Sequence, residues 1–212
     1  MRYFERVLER MDFKFIPIFS TDNGEIFGYR VVKDFSTLGF DDKEYMYQMA
    51  SEKKVFDEFA LKMIEKAGKE ILEKGIKDKY FLYTLRFNFI DNPLNFFKSL
   101  NIIIKELRLN PKSFIFDVKG INNWKEFHKE YDSVFNFNIV LKESKDSQLN
   151  IATLEKSQAN FIEPKSIDTL AFMKKNINLS TPLIYNLSCE KDLKIEFLKK
   201  LGVDYYYTFI RK

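Results

Sequence analysis

Short apolar runs alternate along most of this chain with longer stretches whose apolar residues recur every three or four positions. Residues 13–19 and 25–32 flank Thr21-Asp22-Asn23-Gly24, a set rich in residues that tolerate positive φ, so the two runs are expected to form a hairpin. Phe56, Ala60, Met63, Ile64, Ala67 and Ile71 repeat at helical spacing and predict a long helix ending near Lys74. Residues 80–85 read as a strand. Pro93 opens a helix through Leu107, and Leu109-Asn110-Pro111 stops it. Five more strands are expected at 113–118, 137–141, 161–162, 183–185 and 205–210. Helices at 123–131, 149–156, 167–175 and 193–201 separate them, the last one ended by Gly202.

That makes eight strands, the first pair antiparallel and the rest joined by helices. Regular alternation of this size implies an α/β fold with a parallel sheet, and eight strands suggest closure into a modified (β/α)8 barrel. Ahead of it, Tyr3, Phe4, Val7, Leu8 and Met11 share one helical face. The expected organisation is an N-terminal helical extension over residues 1–12 and one barrel domain over 13–212. The extension reads as a short helix packed on the barrel, with a dimer-forming or membrane-surface helix as the alternative.

Composition narrows the function classes. A chain of 212 residues, 45% of them hydrophobic, can bury one substantial core, and 23 Phe and 11 Tyr supply much of its area. The net charge of +4 comes from 35 basic and 31 acidic residues that alternate, as in Lys69-Glu70 and Glu190-Lys191-Asp192. Such mixing describes solvated helix faces and gives no basic stripe for nucleic acid, so no nucleic-acid partner is expected. The single Cys189 excludes an intrachain disulfide framework. No run of about 18 apolar residues is present, so no membrane span is expected, and the charged N-terminus lacks the apolar core of a signal peptide. A cytoplasmic location follows as the expectation.

Several segments, in order and at the right separations, resemble the EAL domain, the cyclic di-GMP phosphodiesterase family, from about Phe13 to the C-terminus. Phe15-Ile16-Pro17-Ile18 resembles the family's opening strand. Gly24-Glu25-Ile26-Phe27-Gly28-Tyr29 resembles the run into its Glu-Ala-Leu signature. Phe81-Leu82-Tyr83-Thr84, followed by Pro93, resembles the strand that normally ends in Asn. Leu107-Arg108-Leu109-Asn110-Pro111 before Phe114-Ile115-Phe116-Asp117 resembles the approach to the next Glu, and Leu201-Gly202-Val203-Asp204-Tyr205 resembles a late Leu-Gly-x-Asp segment.

The resemblance implies two divalent cations held by strand-end carboxylates and one Asn, clamping the attacking and leaving oxygens of a phosphodiester. Here the seats differ. The signature Glu falls on Arg30, with Val31 and Val32 after it, and the Asn falls on Thr84. The next Glu becomes Asp117, the one conservative match. An Asp-Asp pair becomes Lys142-Glu143, and the Lys and Asp of a Lys-Ile-Asp segment become Glu163 and Lys165. A later acidic segment falls on about residues 186–190, and a Gln near the last strand becomes Tyr206 or Tyr207. Ser144-Lys145-Asp146-Ser147 replaces a glycine-rich loop, and the chain has only 7 glycines. A side-chain cation about 4 Å from a divalent ion is repelled by roughly 8 kcal/mol at an effective dielectric of about 20. With Arg30 and Lys142 in these seats, no metal, no cofactor and no catalytic residue are expected.

Arg30, Thr84, Asp117, Lys142, Glu143, Glu163 and Lys165 are therefore expected to form a vestigial site. Its cations and carboxylates are expected to pair across the barrel mouth, because buried charges must be paired. The resemblance then implies a signalling or scaffold module with a protein partner and a plausible homodimer. A second reading keeps Arg30, Lys142 and Lys165 as phosphate holders in a metal-free cyclic di-GMP receptor, and a third keeps residual phosphodiesterase activity. His128 has no second His to make a ligand set. Cys189 reads as a small buried side chain, and Tyr205-Tyr206-Tyr207 as strand packing.

Overall fold

A computed structural model describes residues 2–38, 43–143, 149–176, 180–189 and 194–209. The element order is α1 (Arg2–Arg10), β1 (Asp12–Ser20), β2 (Ile26–Asp34), α2 (Lys43–Glu52), α3 (Phe56–Glu73), β3 (Tyr80–Arg86), α4 (Pro93–Glu106), β4 (Phe114–Lys119), α5 (Trp124–Tyr131), β5 (Asn138–Lys142), α6 (Ile151–Ser157), β6 (Phe161–Glu163), α7 (Ile167–Asn176), β7 (Ile184–Asn186), α8 (Ile195–Lys200) and β8 (Tyr205–Tyr207). The strands run in the order β6-β5-β4-β3-β2-β1-β8-β7, and one parallel bridge, Ile162 to Leu183, joins β6 to β7. β1 is antiparallel to both β2 and β8, while the other described ladders are parallel. This is the expected eight-stranded barrel with its first pair reversed.

The local signals that set these elements are visible. Gly24 takes φ +71°, Ser20 N–H donates to Glu25 C=O at 2.9 Å, and Asn23 Oδ1 accepts from Glu25 N–H at 3.0 Å, closing the β1–β2 turn. Asn92, Asn123 and Asn150 each cap a helix through a side-chain oxygen. Gly202, at φ +78°, follows α8 and donates to Lys199 C=O, as a C-terminal glycine should. The periodicity read above does not anticipate α2, although Met46, Tyr47 and Ala50 bury its inner face. The last strand is shorter than expected, ending at Tyr207 with Thr208 and Phe209 outside it, and α8 begins only at Ile195 because Lys194 is extended; Ile210 and Leu193 lie outside the described residues.

Side chains alternate between two sides of the sheet. Outside, one apolar layer joins Phe81, Tyr83, Phe114 and Phe116 to α1–α5, and a smaller one joins Ile162, Tyr185 and Val203 to α7 and α8. Inside the barrel stand Ile18, Leu82, Ile115, Val140, Phe161, Ile184 and Tyr207. The lumen end at which the parallel strands begin is plugged by aromatic rings. Phe27 lies 4.5 Å from Tyr80, 3.8 Å from Tyr205 and 5.9 Å from Phe161, centroid to centroid. The lumen is thus packed side chain, and among the described residues its ion pairs lie at the opposite end.

α1 is fastened to the barrel wall. Phe4, Val7 and Met11 are buried, the Phe4 ring lies 5.1 Å from that of Phe59, and Lys66 Nζ donates to Leu8 C=O at 2.9 Å and to Met11 C=O. A lysine from α3 thereby satisfies carbonyls that the end of α1 leaves open. Tyr3, on the expected apolar face, is instead exposed at 43%.

β2 and β3 approach closely where Gly28 pairs with Tyr80, and a Cβ on Gly28 would lie 2.3 Å from Tyr80 C=O oxygen. Gly28→Ala is expected to destabilise the protein by about 2 kcal/mol through forced separation of two central strands. Urea denaturation midpoints of the two proteins measure it.

Candidate functional site

The polar end of the lumen is built from the last residues of the parallel strands, where a β/α barrel places its chemistry. The ladders set neighbours side by side: Thr84 opposite Asp117, Arg86 opposite Lys119, and Lys142 opposite Glu163. Because side chains alternate, Thr84, Asp117, Lys119, Lys142 and Glu163 all fall on the inward face. β2 adds Arg30 and β8 adds Tyr207 from other sectors of the wall.

Glu163 is the centre of this end. It is 2% exposed, and both its oxygens are occupied. Oε2 accepts from Arg30 Nη1 at 3.3 Å, and Oε1 accepts from Tyr207 OH at 2.7 Å and from Lys142 Nζ. Arg30 Nη1 also donates to Tyr207 OH at 3.0 Å, and the guanidinium carbon lies 5.4 Å from that ring's centroid. The Arg30 side chain is 13% exposed and that of Lys142 23%.

These contacts decide the charge states. Burial opposes ionisation of Glu163, but Arg30 and Lys142 outweigh it and hold the carboxyl below its ordinary 4.5. Burial also opposes the Arg30 charge, yet Glu163 and Tyr207 keep its pKa above the usual value. Lys142 shares its single carboxylate with Arg30, so burial prevails and its pKa falls below 10.5. The Tyr207 phenol is pushed well above 10.0 by burial and then by Glu163, and it stays a hydrogen-bond donor.

A second pair sits beside the first. Asp117, 3% exposed, accepts from Lys119 Nζ at 2.9 Å through Oδ1 and from Thr84 Oγ1 at 3.3 Å through Oδ2. Lys33 Nζ, 4.2 Å from the Tyr83 ring centroid, donates to Thr84 C=O at 2.9 Å and steadies that strand end.

The structure therefore brings together five of the seven residues singled out in the sequence: Arg30, Thr84, Asp117, Lys142 and Glu163. The other two stand apart. Glu143 is half-buried and accepts from the backbone N–H of Lys165 at 2.8 Å, while the Lys165 side chain is exposed. The pairing expected of Lys165 with a mouth carboxylate is thus a main-chain hydrogen bond. Two participants were not singled out as site residues. Lys119 follows Asp117 by two positions, which in a strand means the same face. Tyr207 was reached only as one of two alternatives, and its parity with the lumen residue Tyr205 distinguishes it from Tyr206.

Other expectations fall into place locally. Asn186, at the end of β7, accepts from Ser188 N–H and Oγ at 3.1 and 2.7 Å and so shapes a turn. His128 bridges α5 to the end of α6, with Nδ1 at 2.7 Å from Asp132 Oδ1 and Nε2 at 2.8 Å from Ser157 C=O. The side chain of Cys189, the loop of residues 144–147, and Glu190 lie outside the described residues.

The divalent pair that the resemblance implies can be tested against these groups. A metal site needs carboxylate oxygens that converge and remain open to coordinate. Here both oxygens of Glu163 and both of Asp117 already accept hydrogen bonds, and a cation touches each carboxylate. Among the described residues no three His, Cys, Asp or Glu side chains are grouped to hold an ion. The donor set that the described residues offer does not fit a divalent pair.

No protein-family model matches the sequence, and no curated protein matches it. Solved structures do. The fold is similar to the PaMucR phosphodiesterase in its c-di-GMP complex, with a TM-score of 0.72 and 13% identity over 98% of this chain and 94% of that one. It is similar to the FimX EAL domain from Pseudomonas aeruginosa bound to c-di-GMP, with a TM-score of 0.65 and 14% identity over 96% and 91%. The EAL enzyme Bd1971, in a form with cAMP and cyclic di-GMP, gives a TM-score of 0.71 at 11% identity over 98% of this chain, which spans 63% of that one. At these identities the likeness concerns architecture, and with the reversed first strand and the closed ring of eight it establishes that the chain has the EAL-type barrel fold.

Proposed function

We propose that this chain is a non-catalytic EAL-type module that works in cyclic di-GMP signalling through protein contacts. The observation that supports this reading is the pairing of Arg30 and Lys142 on the buried Glu163. In the resemblance, Arg30 and Lys142 stand where the family has metal-binding carboxylates. A hydrolytic centre of that type needs a nucleophile generated between cations. Here the fixed charges have the wrong sign for that task, and Glu163, the one buried Glu among the described residues, is spent neutralising them. The partner engages the barrel's outer surface or its rim, a homodimer is compatible with the same role, and the setting is the cytoplasm.

A second reading draws on Lys119 and Lys142, which are 27% and 23% exposed at the rim. They would meet an anion without any metal. The structures of PaMucR and FimX hold c-di-GMP on the same fold, so cyclic di-GMP is the ligand to try.

Two measurements separate these readings. Incubation with cyclic di-GMP and magnesium or manganese is expected to give no linear dinucleotide above background. Turnover that Glu143→Ala abolishes would overturn the non-catalytic reading, whereas turnover unchanged in that variant marks a contaminant. Calorimetry at about 100 µM cyclic di-GMP with chelator is expected to show no heat, and a saturable signal would favour the receptor.

The charge states predict a pH signature as well. Because the folded-state pKa of Glu163 lies below 4.5, its stabilising contribution is whole above that pH and fades as pH falls through the lower folded-state value. Glu163→Gln is expected to cost about 3 kcal/mol at pH 7, since it leaves two cations without a counter-charge. The gap between wild type and variant narrows in acid, as chemical denaturation at pH 7 and pH 3 can measure. A gap that stays constant would refute the assigned ionisation.

A further inference from the structure

The arrangement around Glu163 is that of a bound anion. A carboxylate sits 2% exposed inside a ring of three donors on three different strands: Arg30 Nη1 from β2, Lys142 Nζ from β5 and Tyr207 OH from β8. All three donors converge on the same two oxygens, and each would serve a free carboxylate as well. β6, which delivers the carboxylate, is only three residues long and meets β7 through a single bridge. The cradle and its occupant therefore belong to separate strands, and the strand that carries the occupant is weakly joined on one side.

We infer that the barrel mouth is an anion cradle closed from within, with Glu163 as its tethered occupant and small carboxylates as the class of external ligand that the empty cradle accepts. The device is autoinhibitory in form. While Glu163 is seated, both oxygen positions are filled, and an outside anion has no access to Arg30 or Tyr207. This inference goes beyond the non-catalytic reading, which survives if the cradle proves unable to take an outside anion.

Excision of the occupant tests it. Glu163→Ala removes a CH₂–COO⁻ group, which acetate matches in size and charge. In the full chain at matched ionic strength, the thermal midpoint of Glu163→Ala is expected to be about 3 °C or more higher in 100 mM acetate than in chloride. Propionate, too large for the gap, gives less, and inorganic phosphate shows whether the cradle also takes a tetrahedral anion. The wild type, whose cradle is full, is expected to show only the small general stabilisation that kosmotropic anions give a folded protein. A wild-type rise as large as that of Glu163→Ala would mean that the response does not come from the emptied cradle and overturns the inference.

If Glu163→Ala fails to fold in chloride, its refolding yield in acetate against chloride reads the same effect. The double variant with Lys142→Met, left with one buried cation, keeps a smaller acetate response through Arg30 and Tyr207. Absence of an acetate-specific response in both backgrounds sinks the idea.

Discussion

Taking a carboxylate out of water costs several kcal/mol, and the fold can retain Glu163 only by surrounding it with donors. Those donors come from β2, β5 and β8, so the requirement of one buried charge fixes the relative positions of strands far apart around the ring. The requirement runs both ways, because Arg30 and Lys142 are themselves partly buried cations that need a counter-charge. Asp117, with Lys119 and Thr84, forms a smaller unit of the same kind one strand along. Between them the two units turn the polar end of the lumen into structure, where an open site would require unoccupied oxygens.

The opposite end reaches the same result without charge. Phe27, stacked between Tyr80 and Tyr205 with Phe161 beside them, fills the cylinder with ring area. An apolar layer of Ile18, Leu82, Ile115, Val140 and Ile184 separates these rings from the ion pairs. The layer keeps water from the inner side of Glu163, which strengthens its contacts with Arg30 and Lys142. Packing in the lumen and ionisation at the mouth are thus parts of one arrangement.

Much of this was legible in the sequence, for identifiable reasons. Strands recur where apolar runs meet turn residues, and the caps at Asn92, Asn123, Asn150 and Gly202 are local chemistry. The helix α2 was missed because its buried Met46, Tyr47 and Ala50 cover too few turns to establish a period. The involvement of Arg30, Thr84, Asp117, Lys142 and Glu163 followed from strand ends and resemblance. Who pairs with whom did not follow, since the partner of Arg30 lies 133 positions away. Lys165 shows the limit best: its charge suggested an ion pair, yet its main chain makes the contact and its ammonium stays in solvent.

The bridge from Ile162 to Leu183 has a mechanical meaning. Seven junctions of the cylinder are ladders of two or more residue pairs, whereas this one is a single stitch. A closed tube yields first along its thinnest join, so thermal breathing should concentrate there and leave the long β1–β2 hairpin quiet. The residue that holds the mouth shut is therefore mounted on the most compliant stave of the barrel.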